Sequence, residues 1–230
     1  MFVVVTREYT VLPLIRTTNI LIIRFDGETF QRLKLSSYSH HGGELADYRG
    51  KALITGCHWL YSDNCEEGTK TEILDMQKMK WSSGPDYPFA TNLEKSLNVT
   101  NGPSSRYPKG SFIFYYSTVT IDDSAFIIGG IGNGNLIAEF RNCQWHKYGY
   151  LKTNKYAQQN IKYGQQTLII GGYSVGEFHG TPVKTNIEVW TFPDQNTTDF
   201  FIEELQFSHI DSENIALFAV DFDFCYKNFV

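Results

Sequence analysis

Three stretches of this chain repeat one pattern, a short apolar run that stops at glycine. They are Ala52-Leu53-Ile54-Thr55-Gly56-Cys57, Ala125-Phe126-Ile127-Ile128-Gly129-Gly130 and Thr167-Leu168-Ile169-Ile170-Gly171-Gly172. Apolar runs this short, bounded by glycine, predict strands buried on both faces. An acidic and aliphatic stretch follows each: Thr71-Glu72-Ile73-Leu74, Ile137-Ala138-Glu139-Phe140 and Asn186-Ile187-Glu188-Val189-Trp190. These predict a second strand in each repeat. The step from Gly56 to Gly129 is 73 residues, and that from Gly129 to Gly171 is 42.

Around these anchors the rest of the chain falls into units. At 19–35, Ile20–Phe25, the turn pair Asp26-Gly27 and the alternating Thr29–Leu35 predict a hairpin. It reads as half a unit, with no first half expected upstream. One unit runs over about 44–90, with a first strand near Glu44–Tyr48 and a turn at Arg49-Gly50-Lys51. Residues 91–110 are rich in Asn, Ser, Gly and Pro and read as an inserted loop, which explains the long step. Further units are expected over 111–154 and 156–206, turning at Asp122-Asp123 and Tyr163-Gly164-Gln165. Residues 210–225 resemble a glycine-ended strand, with Ala219 and Val220 in place of the glycines. Multi-strand repeats at this spacing predict one all-β domain over 1–230, a β-propeller of about four recognisable blades. It is partial, or closed by pairing the N- and C-terminal strands.

Composition changes this picture little. The chain has 230 residues, is 42% hydrophobic and 20% charged, and carries 14 Tyr, 17 Phe and 19 Gly. That mixture suits strands and turns and argues against disorder. A net charge of −5 without any basic run argues against a nucleic-acid partner. No apolar run is long enough for a membrane span. Arg7 and Glu8 interrupt the first apolar residues too early for a signal peptide.

Candidate chemistry is sparse. Gly129-Gly130-Ile131-Gly132-Asn133-Gly134 is glycine-rich, but no Lys-Ser or Lys-Thr follows, so a connecting loop is expected rather than a phosphate site. His40 and His41 are adjacent, would face opposite ways on a strand, and read as loop polarity. His58, His146, His179 and His209 lack metal-ligand spacing. The pairs Asp122-Asp123 and Glu203-Glu204 read as solvated surface. Cys57 and Cys65 flank one loop and are either a disulfide or buried thiols, while Cys143 and Cys225 lie in different units. Asn98 and Asn196 begin glycosylation sequons. No nucleophile motif is present. No catalytic residue, metal or cofactor is assigned.

The glycine pairs, the Glu-containing strands, Trp81 and Trp145 beyond those glutamates, and Trp81-Ser82-Ser83-Gly84-Pro85-Asp86-Tyr87-Pro88 together resemble the kelch-repeat propellers over residues 19–225. The chain departs from them at Gly56-Cys57 and at Trp190, which lies inside its strand. The resemblance gives Gly56, Gly129, Gly130, Gly171 and Gly172 structural roles. It implies a non-catalytic protein-binding scaffold that works through loops at one face. The candidate contacts are His58, Trp59, Tyr61, Ile131, Asn133, Tyr173, Ser174 and Phe178, with Tyr87 and Tyr148 at the blade exits. An extracellular or matrix setting is expected from the sequons and Cys57–Cys65. The alternatives are an intracellular adaptor, or an enzyme such as a copper oxidase or a carbohydrate-active kelch protein.

Overall fold

Each glycine-ended run becomes the second strand of a four-stranded antiparallel sheet in the computed structural model. The structure describes residues 2–12, 15–25, 29–33, 36–40, 42–57, 68–92, 110–174, 187–196 and 198–200. The chain is all-β, with no helix among these residues. The N-terminal sheet has Phe2–Leu12 (β1), Ile15–Phe25 (β2) and Phe30–Arg32 (β3), in that order. Sheet I is Ala46–Tyr48 (β4), Lys51–Thr55 (β5), Thr71–Asp75 (β6) and Lys80–Ser83 (β7), also in sequence order. Thr91–Asn92 (β8) pairs with Ser111–Phe112 (β9), fastening the base of the expected insertion. Sheet II is Ser117–Ile121 (β10), Ser124–Ile128 (β11), Leu136–Arg141 (β12) and Gln144–Tyr150 (β13). After Lys155–Tyr156 (β14), sheet III takes Gln159–Tyr163 (β15) and Gln166–Ile170 (β16). Tyr173–Ser174 (β17) turns back onto β14, and Ile187–Thr191 (β18) with Thr198–Phe200 (β19) completes the sheet.

The registers define which face each side chain occupies. One face of sheet I, with Ala46, Tyr48, Leu53 and Ile73, packs on Ala125, Ile127, Ala138 and Phe140 of sheet II. The opposite face of sheet II, with Val119, Ile121, Phe126, Ile128 and Ile137, packs on Ile169 and Trp190 of sheet III. Sheet II is therefore buried on both sides, as its unbroken apolar runs predict. Tyr48 meets Phe140 edge-on at 4.8 Å, and Phe126 meets Trp190 at 4.9 Å. The departure at Trp190 has a simple geometry. Trp81 lies opposite Leu74 and Trp145 opposite Phe140, whereas Trp190 takes the third-strand position itself. Its indole occupies the same sheet face from the adjoining strand.

The sheets are joined along their first strands by a repeated set of hydrogen bonds. Tyr115 N donates to Gly42 O at 2.7 Å, and Ala157 N donates to Tyr115 O at 2.8 Å. Tyr116 Oη donates to Thr55 O at 2.7 Å, and Gln158 Nε2 donates to Ile128 O. Thr120 Oγ1 donates to Asp47 O at 2.7 Å, and Lys162 Nζ donates to Thr120 O at 2.9 Å. Thr118 Oγ1 donates to Leu45 O at 3.1 Å, but its counterpart Asn160 has both amide atoms buried without a partner among the described residues. Corresponding residues are 73 apart from sheet I to sheet II and 42 apart from sheet II to sheet III, the same steps as the glycines. Gly42, Tyr115 and Ala157 share a left-handed backbone, with φ of 76°, 53° and 53°.

The hairpin expected at 19–35 is present as β2 and β3. It is extended by β1, which pairs with β2 from Phe2↔Phe25 to Leu12↔Ile15 and which sequence reading did not assign. The expectation of no upstream partner for this hairpin is thereby corrected: a strand precedes it. The strand expected at 210–225, and with it any closure through the C-terminus, lies outside the described residues.

All five candidate glycines have positive φ, and Gly56 shows why a side chain is excluded there. A Cβ on it would lie 2.0 Å from Ile113 O, in the lead-in to sheet II. Gly50 also has positive φ, of 72°, but nothing stands within 4 Å of its Cβ position. Gly50→Ala is expected to cost about 1 kcal/mol, from backbone strain alone. Gly56→Ala is expected to cost more than about 3 kcal/mol, because the joint must also open. Urea unfolding of both variants measures the difference, and equal costs would refute the close approach.

Candidate functional site

The residues leading into each sheet come back against its own third strand. In sheet I, Glu72 accepts bonds from Ser37 N at 2.9 Å, Tyr38 N at 3.1 Å and His40 Nε2 at 3.0 Å. The other ring nitrogen of His40 lies 3.0 Å from Gly56 O. Two oxygen acceptors thus meet the two ring nitrogens, an arrangement that the doubly protonated ring satisfies in full. His40 is buried, not a polar loop residue as its neighbourhood predicts. Burial by itself would raise the Glu72 carboxyl. The hydrogen bonds from His40, Ser37 and Tyr38, with the charge of His40, outweigh burial and hold it below its ordinary value of 4.5.

Sheet III repeats the arrangement with different chemistry. Glu188 accepts from Lys152 N at 2.7 Å, Thr153 N at 3.3 Å and Thr153 Oγ1. Lys155 Nζ lies 2.9 Å from Glu188 Oε1, with both side chains at 0% exposure. The ammonium is not aligned as a hydrogen-bond donor, so the contact is one of charge. The positions correspond: 37, 38 and 40 around Glu72 match 152, 153 and 155 around Glu188.

Sheet II breaks the pattern that its sequence suggests. Ile54 pairs with Glu72 and Ile169 with Glu188, but Ile127 pairs with Ala138. Glu139 is one residue further on and occupies the other face, where it accepts from Ser124 Oγ at 2.8 Å. The residue matching His40 and Lys155 is Ile113, which like Ala138 is at 0% exposure. The ionic pair of two sheets is therefore an apolar pair in the third. The equivalence of Glu139 with Glu72 and Glu188 is corrected by one residue of register, which reverses the face.

Above this layer, at the glycine end of the sheets, lies an aromatic tier. Tyr115 stacks on Tyr156 with centroids 6.4 Å apart, and Tyr156 stacks on Tyr173 at 5.5 Å. All three are half-buried. Phe112, Phe114, Ile131 and Cys57 form the buried floor beside them. The β14–β17 pairing holds Tyr156 opposite Tyr173, as the bridge between Phe114 and Ile131 does one sheet earlier.

Six of the ten expected contact residues lie among the described residues. Tyr173 is in the tier, and Ser174 follows it on β17. Ile131 and Asn133 are buried. Asn133 Nδ2 donates to Gly129 O at 2.8 Å and Leu136 O at 2.9 Å, and its Oδ1 accepts from Tyr87 Oη. These three residues brace the loop from within, so no partner touches Tyr87 or Asn133 without displacing it. Burial raises the Tyr87 hydroxyl well above its ordinary value, aided by Tyr116. Tyr148 is half-buried, donates to Pro193 O at 2.7 Å and stacks on Phe192 at 5.9 Å. His58, Trp59, Tyr61 and Phe178 lie outside the described residues, as do Cys65 and Asn98. Cys57 is buried, and Asn196 is exposed.

Sequence reading missed Tyr115, Tyr156, His40 and Lys155 as members of these layers. The steps of 73 and 42 carry a signal for His40 and Lys155, which they place with 113, and they place Tyr156 with Phe114 and Tyr115 with Ala157. No three His, Cys, Asp or Glu side chains gather as a metal site among the described residues. No helix among them is long and apolar enough to cross a membrane. No family model matches the chain, and no curated protein matches it.

The two ionic sites give separable expectations. Glu188→Ala alone is expected to cost about 3–5 kcal/mol, since it strands a buried ammonium. Adding Lys155→Ile, which imitates Ile113 and Ala138, is expected to recover more than about 1 kcal/mol in a double-mutant cycle. Strictly additive losses would refute the correspondence. Because the Glu72 carboxyl is lowered on folding, its contribution is present above about pH 4.5 and is lost as pH falls below that. Glu72→Gln should therefore flatten the acid limb of stability against pH, and an unchanged limb would refute that role.

Proposed function

We propose that this chain is a kelch-like β-propeller, whole or partial, that acts as a non-catalytic protein-binding scaffold. The binding face is the glycine end of the sheets. The observation that carries this reading is the tier Tyr115, Tyr156 and Tyr173, three half-buried rings stacked in series where the strand-to-strand loops leave the sheets. Rings of this kind offer large contact area, little side-chain entropy to lose and hydroxyls for polar pairing, as in protein hot spots. Support for blades comes from the serial packing of sheets I, II and III and from their repeated joints. An extracellular setting is supported by the exposed Asn196 sequon and, as a proposal, by a Cys57–Cys65 disulfide beside the tier.

The test compares the native chain with Tyr156→Ala/Tyr173→Ala. Both are used to capture partners from the extracellular fraction of the source tissue, after their thermal midpoints have been measured. The reading expects a partner recovered by the native chain to lose at least about tenfold in affinity, as two hot-spot rings imply. Equal capture by the two forms would overturn the placement of the binding face.

A further inference from the structure

Glu44 carries a charge that no cation answers among the described residues. It stands just before β4, on the face of Ala46 and Tyr48, which meets sheet II. The matching places in the other sheets hold Ser117 and Gln159, both uncharged. Solvent reaches the Glu44 side chain, yet the protein packed around it raises its carboxyl from 4.5 to about 7. A water-filled recess accounts for both facts, since it admits solvent while removing much of the hydration of an open surface. The Thr118 N–H points at the carboxyl and opposes the rise, and no charged side chain contributes to it. Tyr116, the titratable group beside it, is itself raised by burial and by Glu44, so it stays neutral.

The same stretch of sheet II meets an amide with nothing to bond. Gln158 Nε2 donates to Ser117 Oγ at 2.9 Å, and Lys162 Nζ donates to Thr120 O at 2.9 Å. Asn160 lies between these two on β15 and shares the face of its pair Ile169, which meets sheet II. That sets Asn160 at the level of Thr118, whose carbonyl corresponds to the Leu45 carbonyl bonded in the first joint. Yet Asn160 Oδ1 and Nδ2 are both buried and both without a partner. The N–H and C=O of one strand residue leave by the same edge. Thr118 O is therefore on the edge whose N–H points at Glu44. Glu44 and Asn160 thus flank one residue of β10 from the two neighbouring sheets.

We propose that this recess binds a primary ammonium group, with Glu44 as its counter-ion and Thr118 O and Asn160 Oδ1 as its other acceptors. Three N–H donors then meet three oxygens, one of them charged. Asn160 Nδ2 remains as a donor beside them, so an amine with a neighbouring hydroxyl is held better than a plain alkylamine. The site lies at the same end of the sheets as the tyrosine tier, because β4 begins where β5 ends. It needs no protein partner, so it stands or falls apart from the function proposed above.

Calorimetric titration of the full chain at pH 8, above the Glu44 value of about 7, tests it. The probes are the chlorides of ethanolamine, ethylamine, tetramethylammonium and potassium. Both amines are expected to saturate one site, ethanolamine the more tightly. Tetramethylammonium has the charge but no N–H, and is expected not to bind. Glu44→Gln, which imitates Gln159, and Asn160→Ala are each expected to weaken ethanolamine binding by about tenfold or more. Glu44→Gln is not expected to melt lower than the native chain, since folding raises the carboxyl that it removes. Its loss of binding is then not a loss of folding. Absence of amine binding would overturn the proposal, as would full affinity in either variant or equal binding of tetramethylammonium. Potassium bound as tightly as ethylamine would overturn it in favour of a metal ion.

Discussion

The edge of a sheet is a row of backbone groups with nothing to bond, and the first-strand edges of sheets I and II are resolved in the same way. The first strand of one sheet receives side-chain and backbone donors from the first strand of the next. Tyr116, Thr118 and Thr120 reach back to carbonyls of sheet I, and Gln158 and Lys162 reach back to those of sheet II. Each such bond is worth about 1 kcal/mol net, but a buried carbonyl left unbonded costs more than that. The same contact buries the apolar faces. A single sheet is thus deprived twice when its neighbour is missing, which makes the sheets mutually dependent.

The lead-in pairs show that this dependence tolerates different chemistry. His40 with Glu72, Ile113 with Ala138, and Lys155 with Glu188 occupy one repeated place. A buried ion pair offsets heavy desolvation only when its remaining lone pairs are bonded. Glu72 and Glu188 meet that condition through the amides at 37, 38, 152 and 153. The Ile113 and Ala138 pair avoids the cost altogether, and Ser111 and Phe112 there form β9 and pair with β8 at the base of the insertion. Two residues change together because changing one alone would strand the other.

The fold was legible where the chain carries its own ruler. First and second strands are linked by turns of fixed length, so Gly56, Gly129 and Gly171 mark out steps that hold for the inter-sheet bonds as well. The distance from second to third strand has no such constraint, running from Gly56 to Thr71 in one sheet and from Gly130 to Leu136 in another. Glu139 was aligned by residue type for want of a ruler, and pairing with β11 put it on the opposite face. The aromatic tier was hidden for another reason. Tyr115 takes a left-handed backbone that residue identity normally assigns to glycine, so nothing local announces where its ring goes. β1 was obscured because Arg7 and Glu8 break its apolar run, and its eleven pairs with β2 supply the order that the pattern lacks.

The division between constant and variable segments also bears on where a partner can be met. Along the inner strands, a substitution disturbs two sheets at once, as the approach of Gly56 to Ile113 O illustrates. At the glycine end the loop from Gly130 to Leu136 is short and closed on itself by Asn133, whose amide spans Gly129 and Leu136. The stretches from Gly56 to Thr71 and from Gly172 to Ile187 span more residues before the third strand of the sheet. Surface that can change without opening a joint is where recognition can diversify at least cost to stability. The tyrosine tier is anchored to the joint at one end: Tyr115 joins it through its N and O, while its ring stacks on Tyr156 and that of Tyr156 on Tyr173.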